Sequence, residues 1–187
     1  MDLASLIRDV PDFPAPGILF KDITTLVRDP AAFREVISHL AEHYAPLAKT
    51  GDYRNTPVDI VAAIESRGFI LGAPVAWQLG AGFVPVRKPG KLPAKFISES
   101  YSLEYGANAI EIHEDAIQPG QRVLVVDDLL ATGGSARAAV NLVERLGGNV
   151  IGVAFLVELD FLRGRQKLEG YPILSLIHYA CVSPPSS

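Results

Sequence analysis

Between Pro30 and Tyr44 the apolar residues Phe33, Val36, Ile37, Leu40, Ala41 and Tyr44 recur at helical spacing. They predict one helix with Asp29 as its cap and Pro30 at its first position. Asp59 to Glu65 (DIVAAIE) is an unbroken apolar run between polar ends, the pattern of a strand buried on both faces. Gly68 to Leu79 reads as helix and Phe83 to Arg87 (FVPVR) returns as strand, which makes a βαβ unit. RVLVVDD, from Arg122, is a second buried strand, and Thr132 to Leu146 is a helix closed by Gly147 and Gly148. VIGVAFLV, Val150 to Val157, is another buried strand, and a last one falls near Ile173 to Ile177. This alternation predicts an α/β, doubly wound fold with a central, mainly parallel sheet flanked by helices.

Two stretches break the pattern. In DFPAPGILFKDIT, Pro14, Pro16 and Gly17 impose a turn-rich path that presents Ile18 to Phe20 as an extended apolar piece. From Lys88 to Tyr101 there is no periodicity, only Pro, Gly, Lys and Ser, so a mobile loop is expected there. It leads into YSLEYG and AIEIH, which alternate as the arms of a hairpin. No internal repeat occurs, and the Pro/Ser tail SPPSS is expected to fray.

With 187 residues, 49% of them hydrophobic, the chain suits a single domain, 1–187, that buries its own core. A net charge of −4 argues against a phosphate-backbone binder, so no nucleic-acid partner is expected and any anion site must be local. The one cysteine, Cys181, permits no disulfide within the chain and no thiolate metal cluster, which fits a reducing cytoplasm. MDLASLIRDVPDF lacks an apolar signal core, and the longest apolar run is far short of a membrane span, so a soluble protein is expected. His39 and His43 are spaced i, i+4 but fall off the apolar face of their helix, as solvated histidines do.

The chemistry concentrates in VLVVDDLLATGGS, Val123 to Ser135. A buried parallel strand that ends in two acids and turns at once into a Gly-rich helix start puts Asp127 and Asp128 at the edge where such folds bind ligands. Ala131, Thr132, Gly133, Gly134 and Ser135 then offer small residues, two hydroxyls and free amides at a helix N-terminus, a way to hold a phosphate dianion without many cations. Carboxylates would repel a phosphate alone but accept hydrogen bonds from a vicinal diol, so the pair and the nest together fit ribose 5-phosphate. No GxxxxGK[ST] occurs, and GAGF (Gly80 to Phe83) precedes a strand instead of following one, so neither a P-loop nor a dinucleotide site is supported.

VLVVDDLLATGGS resembles the phosphoribosyl-pyrophosphate signature of the type I phosphoribosyltransferases. DFPAPGILFKDIT, ESRGF, VRKPGKLP and YSLEYG, in this order and spacing, are similar to the adenine branch of that family from about Val10 to Ile177. The resemblance implies the type I phosphoribosyltransferase fold, with a small N-terminal hood over about 1–30 that binds the base and a flexible catalytic loop and hairpin over about 88–106. It implies transfer of the phosphoribosyl group from phosphoribosyl pyrophosphate (PRPP) to N9 of adenine, giving AMP and pyrophosphate in purine salvage. Magnesium would be held through PRPP and not directly by the protein, and the active form would be a homodimer in which Arg87 reaches the neighbouring site.

The same resemblance assigns the ribose to Asp127 and Asp128, the 5′-phosphate to 131–135, and pyrophosphate to Ser66, Arg67, Arg87, Lys88 and Lys91. Loss of pyrophosphate builds negative charge on the leaving group, which such cations would neutralise, and this makes Arg67 a catalytic candidate. It also implies a cis Glu65–Ser66 peptide, a catalytic Glu104 that exchanges a proton at N7 of the base, and Tyr105 as its loop neighbour. Leu19, Phe20 and Lys21 would bind adenine, with Phe20 stacked on the purine. Two positions depart from the family pattern. Ser135 stands for the usual Thr and keeps the hydroxyl, whereas Lys21 stands for an Arg whose planar fork it cannot supply. Two other readings remain open, a hypoxanthine or guanine phosphoribosyltransferase with the same ribose-phosphate site, and a PRPP-sensing regulator on the same fold.

Overall fold

A computed structural model describes residues 1–45, 58–102 and 107–181. Asp29 accepts the amides of Ala31 and Ala32 at 2.9 Å each and so caps the predicted helix, which runs Pro30–Tyr44. It is α2, preceded by the short α1, Thr24–Arg28. Ahead of both, β1 (Arg8–Pro11) and β2 (Leu19–Asp22) form an antiparallel pair whose connection contains a cis Phe13–Pro14 bond. This is the turn-rich segment that the prolines predicted.

The five predicted strands form one parallel sheet. β3 (Ile60–Ile64), β4 (Gly82–Val86), β7 (Arg122–Leu130), β8 (Asn149–Leu159) and β9 (Ile173–Tyr179) lie in the order β4-β3-β7-β8-β9. α3 (Arg67–Leu79) returns the chain from β3 to β4, and α4 (Gly134–Arg145) returns it from β7 to β8. The apolar faces of α2 and α3 cover one side of the sheet with Val61, Leu124 and Leu156, while α4 covers the other with Val125, Val153 and Phe155. Because the crossover from β3 leads one way along the sheet and that from β7 leads the other, a crevice opens between their carboxyl ends.

The hairpin differs from the sequence expectation in its boundaries. Its arms are β5 (Phe96–Ser102) and β6 (Ala107–His113), so the first arm already begins within the stretch read as loop. The cause is an alternation hidden in FISESY. Ile97 and Tyr101 pack on the core, and between them Glu99 accepts from Asn141 (2.8 Å) and Arg145 (2.9 Å) of α4. An inward acid satisfied by a helix some forty residues later leaves no trace in local periodicity.

Candidate active site

β7 carries the two acids and does not stop at them, since it keeps pairing with β8 as far as Leu130. The chain then turns through Ala131 and Thr132 to Gly133, whose φ of +76° suits glycine, and α4 begins at Gly134 instead of Thr132. No side chain caps this helix start, so its first amides face the crevice as donors. At the end of β3 the Glu65–Ser66 peptide is cis, as the resemblance implied, and Arg67 opens α3. Glu65, Ser66, Arg67, Lys88, Asp127, Asp128 and residues 131–135 line one cavity of about 320 Å³, with Tyr101 and Ile110 of the hairpin on its wall.

Charge in this cavity is arranged in pairs. Asp127 and Asp128 are buried, and the Asp128 amide donates to Asp127 Oδ1 at 2.8 Å. Burial, reinforced by the Asp128 charge, pushes the Asp127 carboxyl well above its ordinary value. Burial raises Asp128 as well, and the Arg67 charge offsets part of that rise. Arg67 Nε lies 2.9 Å from Asp128 Oδ2 but off the hydrogen-bond direction, so this buried oxygen has an ion-pair partner and no hydrogen bond.

The neighbouring basic segment is held by two carboxylates that sequence reasoning did not single out. Glu65 accepts from Arg87 Nε (3.2 Å), the Lys88 amide (3.0 Å) and Lys91 Nζ. Its burial opposes ionisation, but these donors, Lys91 and the Lys88 amide foremost, hold its carboxyl down at about 2. Buried Glu111 on β6 accepts the Gly90 amide at 3.1 Å, and Arg87 exchanges two backbone hydrogen bonds with it at 2.8 and 2.7 Å. Lys88 therefore lines the cavity while Arg87 and Lys91 are drawn to Glu65 of the same chain. The signal available was positional, an acid at the carboxyl end of a buried strand.

A second, apolar cavity of about 250 Å³ adjoins the first and shares Thr132 with it. Gly17, Ile18, Leu19 and Lys21 of the N-terminal segment face Leu159, Phe161, Leu162 and Cys181 across it. Alternation along β2 sends Phe20 the other way, where its ring meets Phe13 edge-on at 5.1 Å and lies over the Arg67 guanidinium at 4.8 Å. Lys21 reaches past the cavity, with Nζ 2.6 Å from Asp9 Oδ1 and 3.9 Å from the centre of the Tyr179 ring. Phe161 and Leu162 escaped sequence reasoning, although two apolar residues directly after a buried strand, at its ligand-binding end, mark such a wall. Glu104 and Tyr105 lie outside the described residues. His39 and His43 are exposed, as expected.

The profile of the phosphoribosyl transferase domain matches residues 23–175. The chain belongs to the phosphoribosyltransferase family. It is 57% identical over 178 residues to an adenine phosphoribosyltransferase of Chloroflexus aurantiacus, covering 95% of this chain and 98% of that one. The crystal structure of adenine phosphoribosyltransferase from Thermoanaerobacter pseudethanolicus superposes with a TM-score of 0.86 at 52% identity, over 95% of this chain and 98% of that one. The Saccharomyces cerevisiae adenine phosphoribosyltransferase, solved with an imino-altritol bisphosphate and adenine, gives 0.84 at 42% identity over 94% and 96%.

Proposed function

We propose that this phosphoribosyltransferase moves the phosphoribosyl group of PRPP to N9 of adenine, releasing AMP and pyrophosphate. One observation carries the reading. A buried pair of carboxylates and an uncapped, glycine-bounded helix start share a cavity, and an apolar cavity opens beside them across Thr132. The names of the relatives supply the base, since they are adenine phosphoribosyltransferases.

In this reading Asp127 and Asp128 accept the ribose hydroxyls, and residues 131–135 take the 5′-phosphate through amides and the Thr132 and Ser135 hydroxyls. Ser66, Arg67 and Lys88 meet the pyrophosphate, and Arg87 and Lys91 join them by leaving Glu65. Donors fixed before the reaction stabilise the charge that develops on the leaving oxygens. Leu19 and Lys21 belong to the base cavity, and Phe20 reaches the purine by turning from Arg67. Glu104 exchanges the proton at N7 as N9 attacks. Magnesium supplies further neutralisation of the pyrophosphate when bound. Buried Asp128 Oδ2, which accepts no hydrogen bond, suits a neighbouring cation or hydroxyl, and PRPP itself carries the metal.

Residues 1–30 act as the hood of one domain, and the loop expected over 88–106 includes residues 103–106, which lie outside the described ones. The protein works as a cytoplasmic homodimer; among the described residues no helix is long and apolar enough to cross a membrane. Ile70 and Trp77, seven residues apart on α3 and the latter 83% exposed, support pairing with a second copy. The test is AMP formation from PRPP, magnesium and adenine, run beside hypoxanthine and guanine. Adenine-only turnover that falls about a hundredfold or more in Glu104→Ala is expected. Preference for a 6-oxopurine would change the substrate, and PRPP binding without turnover would make the protein a sensor.

A further inference from the structure

Two backbones meet behind the phosphate loop. Beyond β8 the chain makes a 3-10 turn over Asp160–Leu162 and another over Gly164–Leu168, with Arg163 between them at φ 53°. A Cβ on Gly164 would sit 2.1 Å from the Ala131 carbonyl oxygen and 2.9 Å from the Gly133 nitrogen. A Cβ on Gly133 would lie 2.4 Å from the Gly164 oxygen. Neither backbone has room for a side chain, so the position of one dictates the position of the other.

The segment is anchored on both sides. Arg165 grips Glu158 with two bonds, Nε to Oε1 at 3.0 Å and Nη2 to Oε2 at 2.6 Å, and Ser175 Oγ donates to Oε2 at 2.6 Å. Glu158 is buried on β8, and its oxygens are committed to these donors. In the other direction Leu159, Phe161 and Leu162 wall the apolar cavity, and Thr132 lines both cavities.

We propose that Glu158 and Arg165 are positioning residues that hold segment 159–165 against the phosphate loop, so that the base cavity and the phosphate loop fill cooperatively. The inference rests on assigning residues 131–135 to the 5′-phosphate and the apolar cavity to the purine. A purine against Leu159 and Phe161 fixes the backbone that Gly164 presses on the loop. A phosphate on the loop fixes the same contact from the other side. Whichever ligand binds second finds the contact already ordered, and by linkage each improves the other's affinity by the same factor.

Calorimetry with adenine and ribose 5-phosphate tests this, because the pair lacks a leaving group and cannot react. In the wild type each ligand binds about fivefold or more tightly when the other saturates. In Arg165→Gln that ratio falls to one while adenine alone keeps its affinity within about twofold. Arg165→Lys, which keeps the charge without the fork, recovers part of the ratio. A merely structural role would lower the melting temperature and both affinities and leave the ratio intact. Gly164 is not in the left-handed region, so Gly164→Ala strains the contact with Ala131 and Gly133 and weakens ribose 5-phosphate about tenfold or more. An unchanged ratio in both Arg165→Gln and Gly164→Ala overturns the proposal, and Gly164→Ala decides alone if the arginine variant does not fold. A wild type that binds both ligands independently also overturns it, whereas one that binds neither overturns the assignment of the site itself.

Discussion

Asp127→Asn separates what the acid pair contributes to binding from what it does to stability. Asp127 and Asp128 are both buried, and the pair is close enough for each charge to act on the other. At an effective dielectric constant near 20, like charges about 4–5 Å apart repel by about 3–4 kcal/mol. The Arg67 charge beside Asp128 offsets part of this, which leaves a cost on the order of 1–2 kcal/mol at neutral pH. Asparagine keeps the shape and the acceptor for the Asp128 amide but removes the charge. The variant should therefore melt higher by about 2–8 °C at pH 7, at roughly 2–4 °C per kcal/mol for a chain of this size. A carboxyl raised above its unfolded value near 3.8 costs nothing below that value and progressively more as pH rises through the folded one. The gain should thus vanish near pH 4 and grow toward neutrality. Over the same range the affinity for ribose 5-phosphate should fall about 10- to 150-fold, the loss of a charge-assisted bond of about 1.5–3 kcal/mol. Thermal melts from pH 4 to 8 beside calorimetry check both arms. A variant less stable than wild type at pH 7, or a difference that ignores pH, would refute the account of the pair as destabilising and ligand-directed.

Three further outcomes follow from the geometry. In Gly68→Ala the new Cβ would lie 2.9 Å from Asp127 Oδ1 and 3.0 Å from the Val126 carbonyl oxygen; a loss of about 1–3 kcal/mol in urea unfolding and a raised KM for PRPP are expected. Asp22, held at about 2 chiefly by Arg8 and then by Thr24, gives stability that is present above pH 3.8 and lost as pH falls toward 2. Asp22→Asn should cost about 1–2 kcal/mol at pH 7 and almost nothing at pH 2, as measured by urea titration at both. Trp77→Lys leaves the core intact because the side chain is exposed, and sedimentation velocity should show a smaller species than the wild type.

Legibility followed the range of the interactions. The helix over 30–44 was readable to the residue because its cap, its proline and its apolar face are all local. The central parallel strands were readable because burial on both faces leaves continuous apolar runs, and the acid pair with its glycine-rich loop because acids, glycines and hydroxyls sit within thirteen residues. The first hairpin arm was missed because Glu99 is satisfied by α4, and the wall of the apolar cavity because Leu159 and Phe161 gain meaning only opposite Leu19. Glu65 was overlooked for the same reason. A lone acid after an apolar run does not reveal that Arg87 and Lys91 will fold back onto it.

That pattern of charge explains how a chain of net charge −4 can hold an anion site. Arg67 is paired with Asp128, and Arg87 and Lys91 with Glu65. In the proposed reading an incoming pyrophosphate exchanges partners with these three cations and meets only Lys88 without a carboxylate partner among the described residues, so its net Coulomb gain is small and weakly steered at long range. A simple anion that displaces Asp128 from Arg67 leaves a buried carboxylate without its counter-charge, a cost of several kcal/mol. A ligand that brings hydroxyls to Asp127 and Asp128 at the same time removes that penalty. Selectivity then comes from the acids as much as from the bases, because only a molecule carrying a diol between two anionic groups satisfies every partner it disturbs. Free pyrophosphate and free phosphate should accordingly bind far more weakly than PRPP, although pyrophosphate matches the cations equally well.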